Sequence, residues 1–267
     1  MGVISIGLFV LAVISGMLGL GVAFAAIPFL SFFLPDLVHQ VQPLSLLLNG
    51  ITALFAVFGF AKSGYIVWKK ALGLAAVATI AAPVGSYLAQ FISPTYIWVV
   101  YLASVTFLVY RIFKPVKSKV DRKDAKSMIA ATSDSPVLEK SEEFDENRSF
   151  KLALMLAIPI SILSGLLGVG PGFLLMPTLI ILGFEPKMAA GINAFAVCPP
   201  SFSALIPHLS TAQWDFRLTA VLLVLGAIGS FIGARITSVY VSGQKLKKGF
   251  GILIVIMTAY KLVTILT

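Results

Sequence analysis

The sequence predicts an all-α polytopic membrane protein. It is built from two homologous four-segment repeats, inverted relative to each other. Each repeat opens on a broken, re-entrant-like glycine-rich segment. Three observations lead there. The 267 residues are 58% hydrophobic and only 12% charged, against about 45–50% and about 25% in soluble domains. The apolar residues fall into runs long enough to span a bilayer. A glycine-rich run near the start recurs in the second half.

The composition excludes several classes. So few charges cannot coat a soluble protein of this size. One cysteine, Cys198, excludes a disulfide framework. Two histidines, His39 and His208, leave little for a metal centre. No metal and no cofactor is expected. The start, MGVISIGLFV, has no basic n-region and reads poorly as a cleaved signal peptide. Ile6 stands where a myristoylation motif needs Ser or Thr.

A membrane helix needs about 20 apolar residues. Such segments run over 3–34, 43–61, 71–92 and 95–113, then over 151–182, 188–208, 218–240 and 245–266. This divides the chain into an N-terminal transmembrane repeat (1–113), a polar linker (114–150) and a C-terminal transmembrane repeat (151–267). The linker holds eight of the eleven acids and eight of the twenty bases. It reads as a solvated, disordered cytoplasmic connector. Asp36, Glu185 and Asp215 are the acids that remain, so the net charge of +9 sits on the membrane part.

The halves repeat each other. ISGMLGLGVAFAAIPFL (14–30) matches LSGLLGVGPGFLLMPTL (163–179). Ser15, Gly16, Gly19, Gly21 and Pro28 fall on Ser164, Gly165, Gly168, Gly170 and Pro177. Asn49 falls on Asn193, and Gly85-Ser86 on Gly229-Ser230. Tyr110-Arg111 matches Tyr260-Lys261. If each long first segment is two half-helices on one side, the repeats are inverted. That puts 18 of 20 bases on the linker's side, where single crossings put 15, and the positive-inside rule prefers it. Both termini then lie outside.

The runs SGMLGLG and SGLLGVGPG are where backbone leaves the helix. Glycine permits turns, and Pro171 removes a donor. Helices restarting near Val22 and Gly172 would present free N–H groups and positive dipole ends. These suit an anion near the membrane midplane. Tight helix packing by small residues is the competing reading. The candidate substrate-binding residues are Gly19, Gly21, Val22, Asn49, Gly168, Gly170, Gly172 and Asn193. Asn49 and Asn193 lie at equivalent apolar positions, and each can tether broken backbone or touch substrate. Ser15, Ser164, Ser45 and Thr52 are secondary candidates, since their hydroxyls can bond local carbonyls instead.

Other features are structural. The glycines lack the strand–turn–helix context of a nucleotide site. Cys198-Pro199-Pro200 is expected to kink its helix. GAIGSFIG (226–233) and APVGSYLA (82–89) read as helix–helix contact surfaces. Trp68, Trp98 and Trp214 sit near segment ends, as in an aromatic belt. No intramembrane carboxylate relay is visible, and no catalytic pair, so no enzyme is expected.

The paired glycine runs, each followed by a segment bearing Asn49 or Asn193, resemble the TauE/SafE family of sulfite exporters, within the broader sulfonate-uptake permease group. The resemblance covers nearly the whole chain outside 114–150. It implies transport of sulfite, sulfonates or related sulfur oxyanions across a bacterial or archaeal inner membrane. The partners expected are a small anion and the lipid bilayer, without nucleic acid; a homodimer is left open. A passive anion channel and a membrane subunit of a larger transport assembly are the alternatives. The sequence departs from the family pattern at Val22 and Ala23, where the family often carries a longer glycine cluster.

Overall fold

The computed structural model of the chain describes residues 2–113 and 146–242. Every regular element among them is helical. The first half holds α1 (Gly2–Leu18), α2 (Ala23–Leu30), α3 (Gln42–Phe60), α4 (Trp68–Ala89) and α5 (Pro94–Phe113). The second holds α6 (Glu146–Leu167), α7 (Gly172–Ile181), α8 (Pro186–Leu205) and α9 (Phe216–Val239). Among the described residues, five helical stretches are long and apolar enough to cross a membrane: Leu37–Phe60, Trp68–Ala89, Asn147–Leu167, Pro186–His208 and Phe216–Val239. Helix α1 falls short of the usual length, and α2 and α7 are far too short to cross alone.

One boundary moves. Helix α6 begins at Glu146, so the stretch read as connector gives up its last five residues to a helix. The rest of that connector, the segment at 245–266 and the pair Tyr260-Lys261 lie outside the described residues.

Local chemistry sets the helix starts. The Asp36 carboxylate accepts from the backbone N–H groups of Val38 and His39, at 3.0 and 2.9 Å. It thereby caps a single π-helical turn, Leu37–Val41, that runs into α3. Asp215 caps α9 through the Leu218 N–H. Pro43 and Pro186 occupy first-turn positions, where their missing donor is harmless. The Cys198-Pro199-Pro200 run lies inside α8 and does not end it.

Helices α3 and α8 are the most deeply buried of the long helices. They pack on each other, α3 also against α9 and α8 also against α4. Helix α1 lies along α9, and α6 lies along α4. Both outer pairs cross at glycine. A methyl added at Gly233 would strike the Val13 carbonyl, and one at Gly85 the Ile162 carbonyl. Gly16 lies against the Ser230 backbone and Gly165 against that of Ala82. The two small-residue surfaces expected at 226–233 and 82–89 are thus helix contacts. The outward faces carry large apolar side chains, among them Ile80 (79% exposed), Met155 (71%) and Phe91 (71%). In water these would be costly; against lipid chains they are at home.

Two outcomes are expected. Gly233→Val drives its side chain into α1 backbone, which cannot yield as a side chain can. It should cost ~2 kcal/mol and lower the thermal midpoint of the detergent-purified protein. Gly73→Ala meets only side chains, the Phe150 ring at 3.3 Å and Leu154 at 3.7 Å, and should shift the midpoint far less. The second outcome concerns Asp36. Burial pushes its carboxyl up, but the backbone N–H and imidazole of His39 and the Val38 N–H outweigh burial and hold it below its usual value. A folded value below the unfolded one stabilises above the ordinary carboxylate range, and the benefit is lost as pH falls through the lowered value. A pH series of midpoints should show this acid limb in the wild type and flatten it in Asp36→Asn.

Candidate functional site

Helix α1 ends at Leu18 and α6 at Leu167, and both end in the same way. Gly19 takes φ +63° and Gly168 φ +69°. The Leu20 N–H then reaches back to the Ser15 carbonyl, and the Val169 N–H to the Ser164 carbonyl, each at 3.1 Å. These are Schellman closures, which satisfy carbonyls the helix end would leave bare. A second left-handed residue follows in each run, Gly21 (φ +71°) and Gly170 (φ +68°). A side chain at Gly21 or Gly170 would be strained in φ and would also overlap the Asn49 amide. The chain then re-enters a helix at Ala23 and at Gly172.

The two restarts meet. Phe24 and Phe173, one residue into α2 and α7, stack with ring centroids 5.2 Å apart. Tyr101 on α5 stacks on Phe24 and donates to its carbonyl at 3.0 Å. All three side chains are fully enclosed.

Two amides hold the breaks. Asn49 on α3 accepts from the Ala23 N–H through Oδ1 at 2.9 Å. Its Nδ2 donates to Ser201 Oγ on α8 at 2.8 Å, and Ser201 donates on to the Val197 carbonyl. Thr52, one turn along α3, accepts from the Val22 N–H at 3.1 Å and donates to the Leu48 carbonyl. Asn193 on α8 works on the other break and across to the first. Its Nδ2 donates to the Gly19 carbonyl at 2.7 Å and to the Gly172 carbonyl at 3.2 Å. Both amides are wholly buried.

The structure therefore gathers Gly19, Gly21, Val22, Asn49, Thr52, Gly170, Gly172 and Asn193 into one cluster. Gly168 lies at its edge against the Gln42 side chain, and Gln42 Nε2 donates to the Leu166 carbonyl at 3.1 Å. Ser15 and Ser164 contribute backbone carbonyls. The Ser164 hydroxyl is buried without a partner among the described residues, and so is Ser45, one turn before Asn49. The donors expected to be free at the first restart are occupied, Val22 by Thr52 and Ala23 by Asn49. The N–H of Gly172 has no partner among the described residues, and neither has Asn193 Oδ1. Among the described residues the buried polar side chains are hydroxyls, amides and one histidine, His208 beyond the end of α8, with no lysine, arginine or carboxylate. No group of three or more metal-binding side chains occurs among the described residues.

Sequence reasoning missed Phe24, Phe173, Tyr101, Ser201 and Gln42. For the first two a signal was present, because Phe24 falls on Phe173 in the same aligned run. The others are single polar residues on apolar helices, whose partners are set by packing alone.

The model of the family described as Sulfite exporter TauE/SafE matches residues 3–261. Two curated proteins described as "Probable membrane transporter protein", from Xylella fastidiosa strains 9a5c and Temecula1, are each 33% identical over 91 residues. Each match covers 33% of this chain and 34% of the relative, so about a third of the relatives' length is spanned. No solved structure matches the chain.

Removing the Asn49 amide should be the most damaging truncation at the breaks. Asn49→Ala leaves the Ala23 N–H buried and unpaired, at about 1–3 kcal/mol, and also removes the bond to Ser201, which keeps only its bond to the Val197 carbonyl. Thr52→Val strands only the Val22 N–H. Thermal midpoints in detergent should rank wild type above Thr52→Val and Thr52→Val above Asn49→Ala.

Proposed function

The chain belongs to the sulfite exporter TauE/SafE family, a family of membrane transporters, and from that premise we propose that it is a secondary transporter of small sulfur-containing anions. Sulfite, sulfonates and related oxyanions are the substrate class. The substrate is received near the bilayer midplane, between the helix starts at Ala23 and Gly172. The observation that carries this reading is the meeting of two broken helices at Phe24 and Phe173. Interrupted helices in both halves of a transporter chain mark a binding site. Their N-termini are positive dipole ends, which favour anions without a fixed cation.

The same reading makes the halves inverted repeats that rock against each other. In support, the contacts across the halves are exchanged: α1 packs on α9 as α6 packs on α4. The site is tightly closed in this conformation. A methyl on Gly172 would meet the Leu20 carbonyl, Val197 and Asn193. Substrate enters when the halves part, and parting breaks the bonds from Asn193 to Gly19 and from Asn49 to Ser201. The protein acts in the inner membrane, with the 114–150 linker on the cytoplasmic side.

Labelled sulfite flux into proteoliposomes containing only this chain tests the reading. Saturable flux is expected, and Asn193→Ala should lower kcat/KM by about tenfold or more, equivalent to ~1.4 kcal/mol of lost transition-state stabilisation. Flux no greater than in protein-free liposomes would overturn it.

A further inference from the structure

The two breaks differ in one respect that bears on what they hold. At the first, the Val22 and Ala23 N–H groups are taken by Thr52 and Asn49. At the second, Pro171 has no N–H to offer. The position 144 residues after Thr52 is Ala196, which has no hydroxyl. The loss of the donor at 171 is matched by loss of the acceptor at 196. The Gly172 N–H, counterpart of Ala23, keeps no partner among the described residues. Asn193, counterpart of Asn49, uses its Nδ2 on the carbonyls of Gly19 and Gly172. Its Oδ1 is left buried and unpaired at the start of α7.

Asn193 touches Gly172 through Nδ2, so its unpaired Oδ1 and the unpaired Gly172 N–H, an acceptor and a donor, belong to the same break. A fully deprotonated oxyanion matches the Gly172 N–H and the helix dipole but leaves Asn193 Oδ1 facing like charge. A ligand with one O–H answers both. Turning the amide over would set its oxygen against two carbonyls, so Nδ2 stays where it is. Charge supports the same choice. The cost of taking an ion out of water grows with the square of its charge. Among the described residues, the buried polar side chains include no cation to offset a second negative charge.

We infer that the site selects the monoprotonated, singly charged form of a sulfur oxyanion, with its O–H donating to Asn193 Oδ1 and the α7 N-terminus holding its charge. This rests on the transporter reading given above. It also gives that transporter a proton dependence without a titrating carboxylate, since each anion carries its own proton. Of the buried titratable groups, Tyr101 on α5 touches the first break through the Phe24 carbonyl, Cys198 on α8 packs among Ala53, Val197 and Phe202, and His208, beyond α8, lies beside Val38 and His39.

The wild-type chain in proteoliposomes suffices for the test, with equal pH on both sides and protein-free vesicles subtracted. Three anions are compared: sulfite, which gains one proton near neutral pH; methanesulfonate, a permanent monoanion with no O–H; and sulfate, a dianion throughout. At fixed total sulfite, the initial rate should follow hydrogensulfite, falling about tenfold per pH unit on the alkaline side. Methanesulfonate should move at a rate independent of pH and at least ~tenfold lower in kcat/KM, because Asn193 Oδ1 stays unpaired. Sulfate should move least. Sulfite flux that stays level or rises with pH would overturn the inference while leaving an anion transporter standing. Methanesulfonate matching sulfite, or falling with pH in parallel with it, would also overturn it, the latter by assigning the titration to the protein. No flux of any of the three would remove both readings together.

Discussion

Everything in this molecule depends on satisfying backbone polar groups where no water reaches. A helix does that for itself along its length and fails at its ends. This chain ends two helices and starts two more in the middle of its own core. The glycine turns at 19–22 and 168–171 close the carbonyl side by Schellman bonds. At the first break the amide side is closed by Asn49 and Thr52, while Asn193 donates to the carbonyls of Gly19 and Gly172. Those residues must stand at the right depth on α3 and α8, so these two helices occupy the centre. Helices α4 and α9 flank them, and α1 and α6 close the outside.

The same constraint explains why the interior is polar without being charged. Amides and hydroxyls can answer single N–H and C=O groups at short range. A carboxylate or ammonium there would need a partner of opposite sign, and burying such a pair seldom returns its desolvation cost. Charge is left to the ends, where Asp36 and Asp215 cap helices. An anion admitted to this interior meets oriented dipoles alone.

Much of this could be read from the sequence, for reasons that differ by element. Apolar runs are long, so the bounds of α3, α4, α8 and α9 fall within a few residues of the segments drawn from hydropathy. The glycine runs were legible because a left-handed turn leaves few alternatives to glycine. Asn49 and Asn193 stood out because an amide in an apolar run needs a reason. The assignment of donors was not legible. That Thr52 would close the Val22 N–H depends on the facing angle of α3, and Ser201 became a partner through packing across the halves. The start of α6 was missed for another reason: Glu146 to Phe150 are polar by composition, and helices that leave the membrane often continue in polar residues.

The bonds that secure the breaks join distant parts of the chain. Asn193 reaches Gly19 across 174 positions, Asn49 reaches Ser201 across 152, and Ser230 reaches the Thr52 carbonyl across 178. During synthesis the first glycine turn enters the bilayer long before its keeper has been translated. Until α8 arrives, the Gly19 carbonyl lacks its amide partner, and until α9 arrives the glycine face of α1 lacks its mate. Closure of such long loops is slow. The nascent first half is therefore an incomplete object, held in lipid with polar backbone still open. Its maturation waits on the second half, however readily its own helices form.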